Sequence, residues 1–509
     1  MLSATAREAA TRFGERAALE HRGRTLSYAA LDLASDAVAA GIRRDGVGPG
    51  DVVAAVLPSG AEWLVLAVAA DRIGAAFAPV STHLSAVERG ALIAGLGADL
   101  VVCDPDLTDG LPLRAAVRVV DDGGLGEELT GSGSPSVEPV DGIDDPERVA
   151  MICFTSGTTG RARGATFRIR QLQAVSAIDL GDRRADWGGG EHLLASTHFA
   201  HVGMALKLPW YLRTGSTLCV LDRWRADDAL ELVARHRMST LGVVAPQLAL
   251  MLRSTLMDEL DLSCVERIIA GGAASPPALV TEARRRFGAG YSIRYSSTES
   301  GGVGLATAYD ADDDEALATV GRPRPGIEVR VVRDDGVGAG ADLGIGETGE
   351  LQLRSPAMMD GYWLDVDATT ESFTGDGWLR TGDLAHHDDR GCIVLDGRRT
   401  DMFIRGGYNV FPSEVEAVLG QHPHVDAVAI VPRADDVLGE IGVAVVVAVD
   451  GSAPTLESLR EFAAGSLARH KLPEAIEFID ELPLTAGSKL DRAALRAGVD
   501  AASASESAP

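Results

Sequence analysis

Between residues 51 and 104 short apolar runs alternate with amphipathic stretches, and that alternation leaves few folds open to the chain. Residues 51–58, 76–80 and 99–104 read as buried strands, and 62–73 and 88–97 read as helices. Strands joined by helices of this length pair in parallel, with each helix crossing back over the sheet, so the expected fold class is α/β with layered, mostly parallel sheets. At 509 residues the chain exceeds one ordinary domain, and a smaller second domain is expected. The texture changes after Gly397. There Ser413-Glu-Val-Glu416 has the form of a capping box opening a helix, with strands near 425–431 and 441–449, a helix over 456–469 and a strand over 475–479. This predicts a small α+β domain, with the tail from Asp500 onward frayed. Residues 121–145, rich in Gly, Ser, Asp and Glu, read as a loop without catalytic residues.

Charge narrows the choice of partners. Lys and Arg number 47 against 74 Asp and Glu, a formal charge of -27, which argues against nucleic acid. Any polyphosphate must therefore meet a local cluster of backbone N–H groups and cations. The cysteines at 103, 153, 219, 264 and 392 form no CxxC pair and suggest neither a zinc site nor a disulfide framework, so a cytoplasmic location is expected. The N-terminal residues carry charges every few positions and lack a signal peptide's apolar stretch. The longest apolar runs, 63–70 and 441–449, fall short of the roughly 18 residues of a membrane helix and are expected in the core.

Residues 149–154, VAMICF, read as a buried strand that runs directly into TSGTTGRARG at 155–164. Small residues allow successive N–H groups to point at one anion, hydroxyls add donors, and Arg161 and Arg163 add charge, so the loop is suited to cradle a polyphosphate. A surface turn is the bland alternative, and the apolar strand in front favours the cradle. No glycine is followed by Lys and then Ser or Thr at Walker A spacing. A second glycine motif, Gly344-Ile-Gly-Glu-Thr-Gly349, matches GxGxxG. It is followed by the strand-like Glu350-Leu-Gln-Leu-Arg354 where a dinucleotide site needs a helix, and is set aside.

TSGTTGRARG resembles the signature of the acyl-adenylate-forming superfamily, which includes acyl-CoA synthetases, luciferases and the adenylation domains of peptide synthetases. The resemblance continues in order along nearly the whole chain: THFAHVG at 197–203, AGGA at 270–273, YSSTE at 295–299, GRPRPG at 321–326 and GETGEL at 346–351. GYW follows at 361–363, TGDLA at 381–385, GRRTDMFIRGGYNVFPSEVE at 397–416 and LPLTAGSK at 482–489.

The resemblance implies roles residue by residue. Thr155, Ser156, Gly157, Thr158, Thr159, Gly160 and Arg163 would hold phosphates. Gly271, Gly272 and Ala273 would line the purine, Tyr295 would stack on adenine between Arg294 and Ser296, and Asp383 would accept from the ribose hydroxyls. Glu299 would coordinate magnesium, a hard cation suited to carboxylate and phosphate oxygens, with Thr298 and Thr155 nearby. Arg398 would lie near ribose or phosphate, and Lys489 would meet the α-phosphate and substrate carboxylate as catalytic cation. His201, Val202, Gly203, Gly301 and Gly302 would border the acyl group, and Gly406, Gly407 and Tyr408 would line a tunnel for the pantetheine arm of CoA. The domains implied are 1–397, carrying the ATP and acyl pockets, and 398–509, a mobile lid with a hinge near Thr400. Read without the motif series, Tyr295 is a core tyrosine, Asp383 a turn or cap residue, Lys489 a solvated charge and the paired glycines a turn. His201 stays open between core histidine, pocket wall and tunnel gate.

The implied reaction is ATP-dependent activation of a small-molecule carboxylic acid through an acyl-AMP, then thioester formation with CoA. No charged residue stands out to meet a second polar group on the acid, so an apolar acid is expected: aromatic, alicyclic or medium-chain. A carrier protein, an amine or a non-carboxylate oxyanion remains an alternative, and so does luciferase-like oxidation, for which no dedicated residues stand out. The absence of an insertion near the domain junction weighs toward CoA over a long-chain acyl-AMP ligase. A noncatalytic binding module is disfavoured by the retained Glu299, Asp383, Arg398 and Lys489. Departures from the family pattern are Ala162 and Arg163 for Pro and Lys, Ala200 for an aromatic, Ser296 for Gly, Thr400 for Asp or Lys, and Ser488 for Gly.

Overall fold

The computed structural model describes residues 1–111, 116–120, 143–155, 162–181, 186–333, 340–399, 401–405, 408–435, 438–485 and 489–506, with the backbone alone at 408–409 and 503–506. Ser156, Gly157, Thr158, Thr159 and Gly160 of the loop, Arg161, Thr400 at the expected hinge, Gly406, Gly407, the Tyr408 side chain and Ser488 lie outside the described residues, as does most of the expected 121–145 loop. The chain packs as two compact units. One comprises Met1–Val329 and Leu353–Leu379; the other comprises Arg330–Gln352 and Arg380–Pro509.

The alternation at 51–104 forms the α/β layer expected of it. Val52–Val56, Ala76–Pro79 and Leu100–Cys103 are strands; Ala61–Arg72 and Ala86–Leu96 are the helices between them. Val149–Phe154, Ala76–Pro79, Val52–Val56, Leu100–Cys103 and Ala116–Val119 pair in parallel in that order, and Gly164–Arg168 and Gly361–Tyr362 extend the edge antiparallel. The apolar run 63–70 is buried throughout, and Trp63 meets Phe77 and Phe199 edge-on at 5.1 and 5.3 Å. Ser85 and Glu88 close a capping box on Ala86–Leu96, and left-handed Gly97 ends it.

A second sheet of the same unit sets Thr240–Val244, Arg267–Gly271 and Gly290–Tyr295 in parallel, followed by antiparallel Leu305–Ala306 and Arg322–Pro323. Leu230, Leu241, Met251, Ile268 and Tyr291 pack in its core. The register pairs Gly271 with Arg294, so the AGGA and YSSTE segments leave the sheet side by side at the carboxyl ends of their strands. In open α/β sheets that is where ligands bind. A third sheet orders Arg24–Ser27, Ala17–His21, Thr217–Val220 and His192–Leu194.

Leu379–His387 and Ile393–Arg398 pair antiparallel, and Gly349–Arg354 runs as a strand directly after the GxGxxG match, as its sequence required. The C-terminal α+β fold is built on Tyr408–Val410, Phe403–Arg405, Gly439–Ala448 and Val425–Asp435, with Ala475–Phe478 added in parallel. Three local expectations are corrected. The helix at 412 begins two residues earlier than the capping-box reading, as Pro412–Leu419 with Phe411 as N-cap, because proline pre-sets φ for a first helical position; Ser413 instead donates to the Asp396 carbonyl at 3.2 Å. The helix expected over 456–469 stops at Ala464, before Gly465, and a 3-10 turn follows at Arg469–Lys471. The tail from Asp500 is not frayed from that point, since the helix Arg492–Glu506 continues through it, anchored by Leu495 and Val499 against Val431, Val443 and Val445.

Candidate active site

The phosphate loop is closed at its base. Val149–Phe154 ends at Thr155, whose N–H donates to the Arg163 carbonyl at 2.9 Å while the Arg163 N–H donates to Thr155 Oγ1 at 3.3 Å. The chain leaves as Gly164–Arg168, pairing back on the entry strand from Phe154–Gly164 onward. On the other side of that exit strand lies the GYW segment: Gly361 and Tyr362 pair with Thr166 and Ala165, and the Trp363 N–H donates to the Gly164 carbonyl at 2.7 Å.

Beyond Tyr295 the chain folds into a tight turn. Ser297 and Ser300 exchange side-chain-to-backbone hydrogen bonds at 2.9 and 3.1 Å, and the N–H groups of Gly301 and Gly302 donate to the Thr298 and Ser297 carbonyls. Gly301 and Gly302 have φ of 74° and 69°, which favours glycine. The turn presents half-buried Thr298 and Glu299 and is tied down where the Met359 N–H donates to the Glu299 carbonyl at 2.8 Å. Tyr362 then joins the two elements. Its hydroxyl donates to Glu299 Oε1 at 2.8 Å, and its ring lies 5.4 Å from the Arg163 guanidinium, whose Nε is 3.7 Å from Asp365 Oδ2. Burial, reinforced by the Glu299 charge, raises the Tyr362 pKa, so the phenol stays protonated as a donor. Tyr362 was not singled out by sequence reasoning; only its place in the GYW match could have pointed to it.

Gly271 ends the strand Arg267–Gly271 and Gly272, with φ of 76°, follows it. Tyr295 ends its strand half-buried, with Leu305 as cross-strand partner. Arg294 donates to the Tyr309 hydroxyl at 3.2 Å and lies over that ring at 5.5 Å. Of the residues expected around the acyl group, the structure brings Val202, Gly203 and Gly302 together: a Cβ built on Gly302 would lie 3.6 Å from the Val202 methyls and 3.7 Å from the Gly203 nitrogen. Gly203 is exposed, with open space where its Cβ would point. Gly301 instead packs against the Ala357 carbonyl. His201 precedes the short helix Val202–Ala205 as its half-buried N-cap. Its neighbour His198 was missed. It is half-buried, its Nε2 is 3.1 Å from Thr82 Oγ1 and its Nδ1 accepts from the Ala200 N–H, and desolvation of the ring first, then the charges of His201 and His83, lower its pKa to about 3.

In the second unit Asp383 and Arg398 face each other across paired strands. Arg398 Nε donates to Asp383 Oδ1 at 2.9 Å, and the Asp383 N–H donates to Thr381 Oγ1 at 3.1 Å. Asp383 is buried against solvent. Lys489 is exposed on a loop closed by the Thr485 N–H donating to the Lys489 carbonyl at 2.7 Å and by the Leu484–Leu490 bridge. Among the described residues no helix is long and apolar enough to cross a membrane.

The half-buried loop base and the carboxylate on the glycine turn lie in the first unit, and the exposed lysine lies in the second. The AMP-binding enzyme model matches residues 6–363 and the AMP-binding enzyme C-terminal domain model matches 414–489. Indoleacetate--CoA ligase of Aromatoleum aromaticum is 32% identical over 92% of each chain. Among solved structures, ATP-bound MatB from Rhodopseudomonas palustris aligns at TM-score 0.88 with 26% identity, covering 98% of this chain and 99% of the other. The amide bond synthetase McbA from Marinactinospora thermotolerans aligns at 0.85 with 27% identity, covering 98% and 100%. The chain belongs to the AMP-binding enzyme family and is an AMP-forming acid–thiol ligase.

Proposed function

We propose that the protein activates an apolar carboxylic acid with ATP and transfers the acyl group to coenzyme A. An acid carboxylate oxygen attacks the α-phosphorus and pyrophosphate leaves; the CoA thiol sulfur, losing its proton, then attacks the acyl carbon and AMP leaves. The observation that supports the reading is the Glu299–Tyr362–Arg163 chain: the Tyr362 hydroxyl donates to Glu299 Oε1, and its ring lies against Arg163, which is hydrogen-bonded to Thr155 at the base of the loop. That donor set fits a nucleotide-bound magnesium: Glu299 would hold the ion, with Thr155 and Thr298 as nearby oxygens, and the ion would neutralise phosphate charge.

This chain's own groups do the rest. Thr155, Ser156, Gly157, Thr158, Thr159, Gly160 and Arg163 hold the triphosphate. Gly271, Gly272, Ala273, Arg294, Tyr295 and Ser296 form the adenine site, and Asp383, oriented by Arg398, takes the ribose hydroxyls. Lys489 offsets the charge gathered between carboxylate and α-phosphate, a step governed by positioning and electrostatics. Val202, Gly203 and Gly302 border the acid, together with His201 and Gly301, and Gly406, Gly407 and Tyr408 admit the pantetheine arm. A boundary at 397/398 with a hinge near Thr400 allows the C-terminal part to serve the two half-reactions in turn.

Likeness to the amide bond synthetase supports a second reading, in which an amine takes the acyl group from the same adenylate; a carrier-protein thiol is a variant of it. Incubating purified protein with ATP, magnesium and a panel of aromatic, alicyclic and medium-chain acids, and following pyrophosphate with and without CoA, separates these. Acid-dependent pyrophosphate with a CoA-dependent thioester supports the main reading. Pyrophosphate without thioester moves the acceptor to an amine or carrier, and ADP as product ends adenylation altogether.

A further inference from the structure

The sheet built on Ala17–His21, Thr217–Val220 and His192–Leu194 carries a side-chain cluster that the ligase chemistry does not use. The parallel register pairs Glu20 with Cys219, Cys219 with Leu194 and Thr217 with His192. Side chains alternate faces along a strand, so Glu20, Cys219, Leu194 and His192 share one face. The helix Ala226–His236 covers that face, packing Ala229, Leu230 and Val233 against Leu194 and Cys219. Its last residue, His236, thereby arrives over the rim of the sheet beside Glu20 and His192.

The three side chains converge. His236 Nε2 lies 3.4 Å from Glu20 Oε2, His192 Nε2 lies 3.7 Å from Glu20 Oε1, and the imidazoles stack with centroids 4.4 Å apart. One ligand atom from each residue falls within 4.8 Å of the others, and all three residues are half-buried. These separations exceed the roughly 2.7–3.2 Å of an N–H···O hydrogen bond. They suit donors around a shared ion: at a metal–nitrogen distance of about 2.05 Å, the edge of a coordination tetrahedron is about 3.3–3.4 Å. The remaining edge, between the two imidazole nitrogens, is within 4.8 Å. The C-terminal carbonyls of Ala226–His236 also favour positive charge at this position.

We propose that Glu20, His192 and His236 form a binding site for a divalent transition metal of the zinc class. Two imidazoles and one carboxylate match that class in softness and leave a fourth position for water. The ion joins three segments far apart in sequence, the strand Ala17–His21, the strand His192–Leu194 and the helix Ala226–His236, so its role is a staple of the native state. His192–Leu194 feeds directly into the THFAHVG segment, so the staple also braces the root of the segment assigned to the acyl group.

The test uses the full chain without an added histidine tag, stripped with a chelator and titrated with zinc or cobalt in the absence of nucleotide. One equivalent is expected to bind at micromolar concentration, with the visible absorption of four-coordinate cobalt, and magnesium should not compete. His192→Ala, His236→Ala and Glu20→Gln should each weaken binding at least tenfold, whereas His422→Asn, in the second unit, should not. Wild-type hydrogen exchange, which needs no variant to fold, should show zinc protecting residues 17–21, 192–194 and 226–236. No binding at micromolar metal, binding unchanged in the three variants, or protection confined elsewhere would each overturn the proposal.

Discussion

The Tyr362 hydroxyl donates to Glu299 Oε1 at 2.8 Å while its ring lies against the Arg163 guanidinium, so one phenol joins the turn after Tyr295 to the exit of the phosphate loop. A hydrogen bond to a charged acceptor is worth about 1.5–3 kcal/mol. Tyr362→Phe keeps the ring and removes the donor. Glu299 then loses its fixed orientation, and the magnesium concentration giving half-maximal pyrophosphate release should rise about tenfold with little change in Tm. An unaltered magnesium dependence would show that this bond does not position Glu299.

Lys489 offers a way to separate the two proposed half-reactions. It is exposed, on a loop held by Thr485, and its proposed work arises only when carboxylate and α-phosphate meet. Lys489→Ala should slow acid-dependent pyrophosphate release by about 10²–10³-fold, the range for losing one preorganised electrostatic contact. Thioester formation from synthetic acyl-AMP should be largely spared. Equal loss in both assays would remove Lys489 from that role and assign it to nucleotide binding or folding.

How much of this could be read from sequence depends on how local the cause is. Val149–Phe154 was legible to the residue, because an apolar run stops where Thr and Gly begin and nothing distant competes. The 412 helix was misread by two residues because Pro412 outweighs the Ser413 pattern as a first helical position. The tail looked frayed by composition, yet Leu495 and Val499, one helical turn apart, anchor the helix on a sheet formed by distant strands. Motif order pointed to Glu299. It could not show Tyr362 as its partner, since that bond spans 63 positions, nor His198, whose role follows from desolvation.

His198 makes the stability of the protein depend on acid. Its native pKa is pushed down to about 3 by desolvation, while an unfolded histidine titrates near 6.5. Between those values the unfolded chain binds a proton that the native state refuses, so stability rises with pH across that window and is lost as pH falls below about 6.5. The slope from this residue is at most about 1.4 kcal/mol per pH unit. Urea unfolding at several pH values should show that decline, and His198→Gln should flatten it. Parallel profiles for the two proteins would assign the acid sensitivity to other groups.

Two glycines assigned above to the acyl pocket should respond differently to an added methyl. Gly301 has φ of 74°, and a Cβ there would sit 2.4 Å from the Ala357 carbonyl oxygen, backbone that cannot swing away. Gly301→Ala should therefore cost about 1–3 kcal/mol or more, from left-handed strain plus the clash, and should displace the turn that carries Glu299. Gly203 is exposed, has no positive φ and has nothing within 4 Å of its Cβ position. Gly203→Ala should leave Tm within a degree or two while shifting relative kcat/KM across a panel of acids, with the bulkiest losing most. The paired design separates strain from pocket volume. If Gly301→Ala melts like wild type, the turn is softer than its contacts imply; if Gly203→Ala leaves every acid's relative rate unchanged, the acyl group does not pass this point of the chain.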